Sequence, residues 1–286
     1  MKPSKPAVLT IGIVISFTLL AACSTPPAQA AAPPVTMTEA APTLTVEPTH
    51  TPSPVPPTAT PTIEPTATIL PLQVCSPLEG YNFGDLKAIA SNPFNPPAPG
   101  MDDPHYGVDF SFYRYKDRIG MLGLPVQAAI PGTVAMVQAD RFPYGIGVII
   151  ETPLDQIPQD WQLAHPLPTP GPLNIMDSRL FCPTPSPFYP EGTGRSLYIL
   201  YAHLQNLPDL KVGDPVGCGQ VIGAVGNTGN SYNEHLHFEV RVGPSSARFG
   251  SMAHYDNSAD NEEMGRYCTW RVSGIFQVLD PMTIFD

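Results

Sequence analysis

Short runs of alternating apolar and polar residues fill the second half of the chain, and Gly or Pro turns separate them. The clearest run is His235 to Val242. Leu236, Phe238 and Val240 fall on one face of a strand there, and His235, His237, Glu239 and Arg241 on the other. Gly145–Glu151, Ser196–Leu204 and Gly219–Val225 read as further strands, rich in β-branched and apolar residues. Val126–Ala129 leads into Pro131-Gly132, after which Thr133–Gln138 alternates as a hairpin partner would. Long helical patterns are absent, and Asp85–Ser91 suits one short helix. The pattern predicts an all-β, mainly antiparallel fold. Residues 152–195 interrupt it with proline-rich stretches, HPLPTPGPL and CPTPSPFYP. An insertion of that length in a compact domain is usually functional or disordered, and Cys182 suggests that part of it is pinned.

The first 74 residues have a different character. Lys2 and Lys5 precede an uncharged apolar run from Ala7 to Ala22. That run is short for a membrane-spanning helix, which needs ~20 residues, and suits a secretory signal ending in small residues. Leu20-Ala21-Ala22-Cys23 resembles the lipobox of bacterial lipoproteins. The resemblance implies removal of residues 1–22, acylation of Cys23, export, and attachment to the outer face of a membrane. Residues 24–74 hold 13 Pro and 12 Thr with no Lys or Arg, too little apolar surface to offset the entropy of ordering. They read as a disordered tether, with an extended reach of about 150 Å at ~3.1 Å per residue.

Residues 75–286 are then long enough for one domain with a full core. Removing Lys2 and Lys5 from the 14 basic residues leaves 12 against 25 acidic ones. So acidic a surface without basic clusters argues against nucleic acid or anionic lipid as a partner. Gly219, Gly223, Gly226 and Gly229 lack the GK[ST] of a phosphate loop and read as strand ends and tight turns.

Chemistry concentrates in the histidines. His105 and Asp109 stand in HYGVDF, His203 ends the strand LYILYAHL, and His235 and His237 stand in EHLHFEV. Histidines at i and i+2 of a strand project from the same face, and neutral imidazole is a common metal ligand. Taken singly, each motif is also compatible with ordinary strand-end or surface histidines. Together they offer the mixed imidazole and carboxylate set of an open catalytic zinc site. His50, His165 and His254 read as loop histidines, and Tyr106, Tyr198, Tyr201 and Tyr232 as packing residues.

The order HYGVDF, PVQAAIPGTV, LYAHL, VGDPVGCGQVIGAVGNTGNS, EHLHFEV resembles the lysostaphin-type (LytM-like) zinc endopeptidases, which cleave peptide cross-links of bacterial peptidoglycan. The resemblance runs from about Cys75 to Val242. It implies one zinc per chain held by His105, Asp109 and His237, with His203 and His235 facing the substrate as acid/base groups. The implied partners are peptidoglycan stem or bridge peptides and, through the lipid, a membrane; a monomer is expected. Asn233-Glu234 depart from the small residue or proline usual before HLHFE, and the insertion is foreign to the pattern. A competing reading is a non-catalytic wall-binding or amidase-activating scaffold of the same fold, although such relatives generally lack a ligand.

Beyond Cys23, the remaining cysteines are Cys75, Cys182, Cys218 and Cys268, none in a CxxC pair. An even number in an exported chain predicts two disulfides, with three pairings open. Strand directions favour Cys182–Cys218 at the root of the insertion and Cys75–Cys268 between the domain's ends.

Overall fold

A computed structural model describes residues 71–98, 100–168, 180–192 and 194–285. The signal segment, Cys23, His50 and all but the last residues of the tether lie outside these, as does the middle of the insertion. Leu72 and Val74, assigned to the tether by composition, pack against the core.

In chain order the elements are α1 (Phe83–Ile89), β1 (Ala90–Asn92), β2 (Val108–Phe110), β3 (Arg114–Tyr115), β4 (Arg118–Ile119) and β5 (Pro125–Gln127). Next come β6 (Gly132–Arg141), β7 (Gly145–Pro153), α2 (Gln159–Ala164), β8 (Arg195–Ala202), β9 (Pro215–Val216) and β10 (Val221–Ala224). β11 (Leu236–Pro244), α3 (Asn261–Arg271) and β12 (Gln277–Leu279) complete the set. The main sheet is antiparallel in the order β1-β2-β11-β8-β7-β6-β9, and β12 pairs with β11 beyond the reach of β2. Among the described residues no helix is long and apolar enough to cross a membrane.

Both faces of this sheet are covered, and strand alternation divides the side chains between them. Leu197, Ile199 and Tyr201 of β8 and Leu236, Phe238 and Val240 of β11 point to one face, where they join Leu78, Val126, Ala129 and Phe285. Tyr198, Leu200 and Ala202 point to the other, against Tyr267, Trp270 and Phe276. His237, Glu239 and Arg241 share that second face by the same alternation, and all are buried.

Three expectations need correction. β5 does not form a hairpin with β6: it pairs with β10 in a separate two-stranded sheet, while β6 pairs with β7 and β9. The chain leaves one sheet and enters the other through Ile130-Pro131, so neighbours in sequence fall in different layers. Two helices beyond the expected one are also present, α2 and α3. α3 opens with a capping box in which the Asp260 carboxylate accepts from Glu263 N and the Glu263 carboxylate from Asp260 N. Its inward face carries Gly265, Tyr267, Cys268 and Trp270, a mixture without a continuous apolar stripe, so periodicity does not disclose it.

The disulfides are the third correction. Four cysteines form two bonds as expected, but the bonds are Cys75–Cys218 and Cys182–Cys268, each with Cα atoms 5.7 Å apart. Strand directions place the ends of elements but not the sheet face on which a loop travels. Cys218 lies in the turn before β10, where Gly219 N donates to Ala128 O and Cys75 N donates to Ala129 O, on the first face. The insertion returns over the second face. There Pro183 and Pro185 press on α3 at Gly265, where a Cβ would come within 2.6 Å of Pro183 O. Cys182 is therefore set down beside Cys268.

Candidate active site

Cross-strand register builds the centre. Asp109 on β2 stands directly opposite His237 on β11, and Ala202 on β8 opposes His237 from the other side. Side chains paired this way share a face and approach closely. His105 arrives from the turn before β2, where it bridges to Asn95. Gly107 lets that turn pass close to His237: a Cβ there would lie 2.7 Å from both His237 Cε1 and Phe238 O. His203 follows β8 in the left-handed region (φ 61°), which turns the chain out of the sheet at the groove.

Three acceptor atoms converge. His105 Nε2 and Asp109 Oδ1 are 3.1 Å apart, His237 Nδ1 and Asp109 Oδ1 2.8 Å, and His105 Nε2 and His237 Nδ1 3.2 Å. The opposite nitrogens are already engaged. His105 Nδ1–H donates to Pro93 O at 3.1 Å, and His237 Nε2–H donates to Glu239 Oε2 at 3.1 Å. A backbone carbonyl and an ionised carboxylate can only accept, so the facing nitrogens carry lone pairs when the rings are neutral. Three lone pairs at such separations repel unless a cation lies among them. The residues therefore fit a metal ion, and two imidazoles with one carboxylate are the donors of an open zinc site. Among the described residues His105, Asp109 and His237 form the one group of this kind.

The titration behaviour agrees. Burial raises the Asp109 pKa, but its close contacts with His105 and His237 outweigh it and hold the carboxyl far below its usual range. Burial lowers the His237 pKa, but Asp109 and Glu239 on either side push it up to about 9. In the metal-free site a proton on His237 is thus the cation the acceptors share. Glu239, wholly buried, stays ionised because Arg241 and His237 overcome the cost of its burial.

His203 and His235 lie beside this group, with ring centroids 4.6 Å apart. His203 Nδ1–H donates to Thr228 O and His235 Nδ1–H to Asn233 O, both at 2.8 Å, which leaves Nε2 of each ring free. His235 Nε2 is 3.7 Å from Asp109 Oδ1. Burial, then the neighbouring His237 and His235, brings the His203 pKa down to about 3, and burial lowers that of His235. Both rings are neutral at neutral pH.

All five residues singled out in the sequence line one open groove of about 530 Å³, with Asn92, Tyr144, Tyr232 and Arg271. Tyr106, Tyr198 and Tyr201 are buried packing residues as read, but Tyr232 is 99% exposed on the groove wall. His165 stacks on Trp161 at the end of α2, away from the groove, and His254 is buried against Tyr267. Asn92, Tyr144 and Arg271 escape a motif reading because they come from β1, the β6–β7 turn and α3, far apart in sequence. Asn92 donates to Asp109 Oδ2 at 2.9 Å, and Tyr144 to Glu239 Oε2 at 3.1 Å.

An antiparallel sheet carries a mixed histidine and aspartate group that could hold a metal ion in an open cleft. Residues 192–248 match the family model described as Peptidase family M23, which supports the lysostaphin-type, LytM-like resemblance carried by the motifs. His203, His235, His237 and Glu239 fall within the matched segment; His105 and Asp109 lie outside it and are brought in by register.

Solved structures similar to this chain include the catalytic domain of the antimicrobial peptidase lysostaphin from Staphylococcus simulans. It is 21% identical over 71% of this chain and 97% of that one, with a TM-score of 0.35. A mutant catalytic domain of the prophage-encoded M23 protein EnpA from Enterococcus faecalis is 22% identical over 56% and 85%, with a TM-score of 0.31. A putative glycyl-glycine endopeptidase lytM from Ruminococcus gnavus is 17% identical over 58% and 47%, with a TM-score of 0.29. At these scores the likenesses carry no weight beside the site's own geometry.

Proposed function

We propose that this chain is a zinc-dependent endopeptidase that hydrolyses peptide cross-links of bacterial peptidoglycan, held at the cell envelope by lipid on Cys23. The observation that carries the reading is the convergence of His105 Nε2, Asp109 Oδ1 and His237 Nδ1, all within 4.8 Å, on the wall of an open groove. Family membership of the matched segment supports peptide-bond hydrolysis.

In this reading His105, Asp109 and His237 hold the zinc. A bound zinc supplies Lewis acidity, which lowers the pKa of water and stabilises negative charge on a carbonyl oxygen. The histidines beside it handle protons. With Nδ1 of His203 and His235 tied to backbone carbonyls, each ring can exchange a proton only at Nε2. Burial keeps both neutral, so one Nε2 can take a proton from attacking water and a ring can return it to the departing amine. General acid–base help of this kind contributes about 10²–10⁴-fold. The open cleft admits an extended peptide, with exposed Tyr232 on its wall.

The test is release of fragments from purified sacculi by the zinc-loaded chain, read by mass spectrometry. New amino termini within cross-bridges or stems are expected. Sacculi left intact by a chain that holds stoichiometric zinc would remove the hydrolase reading in favour of a binding scaffold. For the anchor, Cys23→Ser should abolish acylation and move the protein from membrane to soluble fractions; unchanged partitioning would refute lipid attachment there.

A further inference from the structure

The segment beyond residue 248 lies outside the family match, yet one of its side chains is linked to both histidines of the candidate metal centre through intervening residues. Arg271, the last residue of α3, is partly buried with its side chain 11% exposed, and it lines the groove. Two of its edges are used differently.

One edge grips the segment that carries His105. Arg271 Nε donates to Asp102 Oδ1, and Arg271 Nη2 donates to Asp102 O at 3.1 Å. The other carboxylate oxygen of Asp102 accepts from Tyr255 Oη at 2.6 Å and Tyr267 Oη at 2.8 Å. Asp102 is thus fastened by three side chains of the C-terminal segment, three residues before His105. Tyr106, the residue after His105, lies with its ring 4.7 Å from the Arg271 guanidinium and 4.6 Å from that of Arg241. His105 is bracketed on both sides by residues that Arg271 holds.

The other edge leads to His237. Arg271 Nη1 donates to Tyr144 Oη at 3.1 Å, Tyr144 Oη donates to Glu239 Oε2 at 3.1 Å, and that same oxygen accepts from His237 Nε2. Arg271 Nη1 is also 3.9 Å from Glu239 Oε2. A planar fork can serve both branches in fixed directions; an ammonium cannot.

We propose that Arg271 is a positioning residue that sets zinc affinity by fixing His105 through Asp102 and His237 through Tyr144 and Glu239. It is not among the three converging donors. The inference rests on the zinc reading above and assigns to the C-terminal segment, α3 included, a part in building the centre. Partners one step removed from a metal ligand typically change affinity by about 10–100-fold when lost.

The experiment is competition for zinc between the full chain and a chromogenic chelator, with folding checked by near-ultraviolet circular dichroism. Arg271→Gln should weaken zinc binding by about 10–100-fold, and Arg271→Lys should recover only part of the loss because charge returns without the fork. Asp102→Asn and Tyr144→Phe each cut one branch and should each weaken binding by less than Arg271→Gln does. If Arg271→Gln fails to fold, Tyr144→Phe decides alone: weaker zinc binding is expected, and wild-type affinity overturns the inference. A folded Arg271→Gln protein with wild-type affinity, or full rescue by Lys, overturns the inference and leaves the zinc reading intact. Absence of zinc from the wild-type chain overturns the zinc reading first.

Discussion

Asp109 and His237 face each other on adjacent strands, β2 and β11, with Oδ1 and Nδ1 2.8 Å apart. The contact follows from strand register, and it leaves two acceptors with a single proton between them. A zinc ion bound there would displace that proton. His237 in the metal-free site keeps it up to about pH 9, a raised value, so the proton favours the metal-free fold at low pH and that stability is lost as pH rises through about 9. Zinc affinity should therefore rise with pH, roughly tenfold per unit, and flatten above about 9. Calorimetry in buffers of differing ionisation enthalpy should find about one proton released per zinc at neutral pH. A pH-independent affinity between 6 and 8, with no proton released, would refute the shared-proton account.

His203→Ala and His235→Ala should each abolish turnover while zinc stays nearly stoichiometric, because both rings lie outside the converging group. Metal analysis beside an activity assay on sacculi checks this. An empty centre in His235→Ala would make that ring a ligand, which its Nε2 position 3.7 Å from Asp109 makes the informative case.

Gly107→Ala tests how tightly the centre is packed. The added methyl would sit 2.7 Å from the His237 ring and from a carbonyl of β11, so the turn before β2 must shift. Overpacking of this kind costs about 1–3 kcal/mol, and displacement of His237 should weaken zinc by tenfold or more. Denaturant unfolding with chelator competition reads both effects. Unchanged zinc affinity would mean that the turn relaxes without moving the ligand.

Non-reducing peptide mapping should recover Cys75 joined to Cys218 and Cys182 joined to Cys268. The bonds span 143 and 86 residues, and loss of either by paired Cys→Ser substitution should cost about 2–5 kcal/mol. Loss of Cys182–Cys268 should also free the proline-rich strap from α3, seen as faster proteolysis between residues 180 and 192. Mixed linkage between the two pairs would refute the sheet-face argument for this pairing.

The sequence by itself determined the strands and the chemistry of the groove. Alternation along β11 is a local property, because side chains of a strand point to opposite faces whatever lies around them. His235, His237 and Glu239 could be placed on one face of a strand before any tertiary contact was known. HYGVDF likewise carries His105 and Asp109 within a few positions of each other, and LYILYAHL carries His203 at its end. Only the tertiary structure decided what depends on which layers meet. β5 joined β10 instead of β6, and Cys218 and Cys182 came to lie on opposite faces of one sheet, because a sheet face is chosen by long-range packing. The capping box Asp260…Glu263 was a legible signal for α3, whereas Arg271 and Asp102 were not legible at all. Their partnership spans 169 residues and joins two surface-type charges, which gain a place beside the groove only once α3 has folded over the second face.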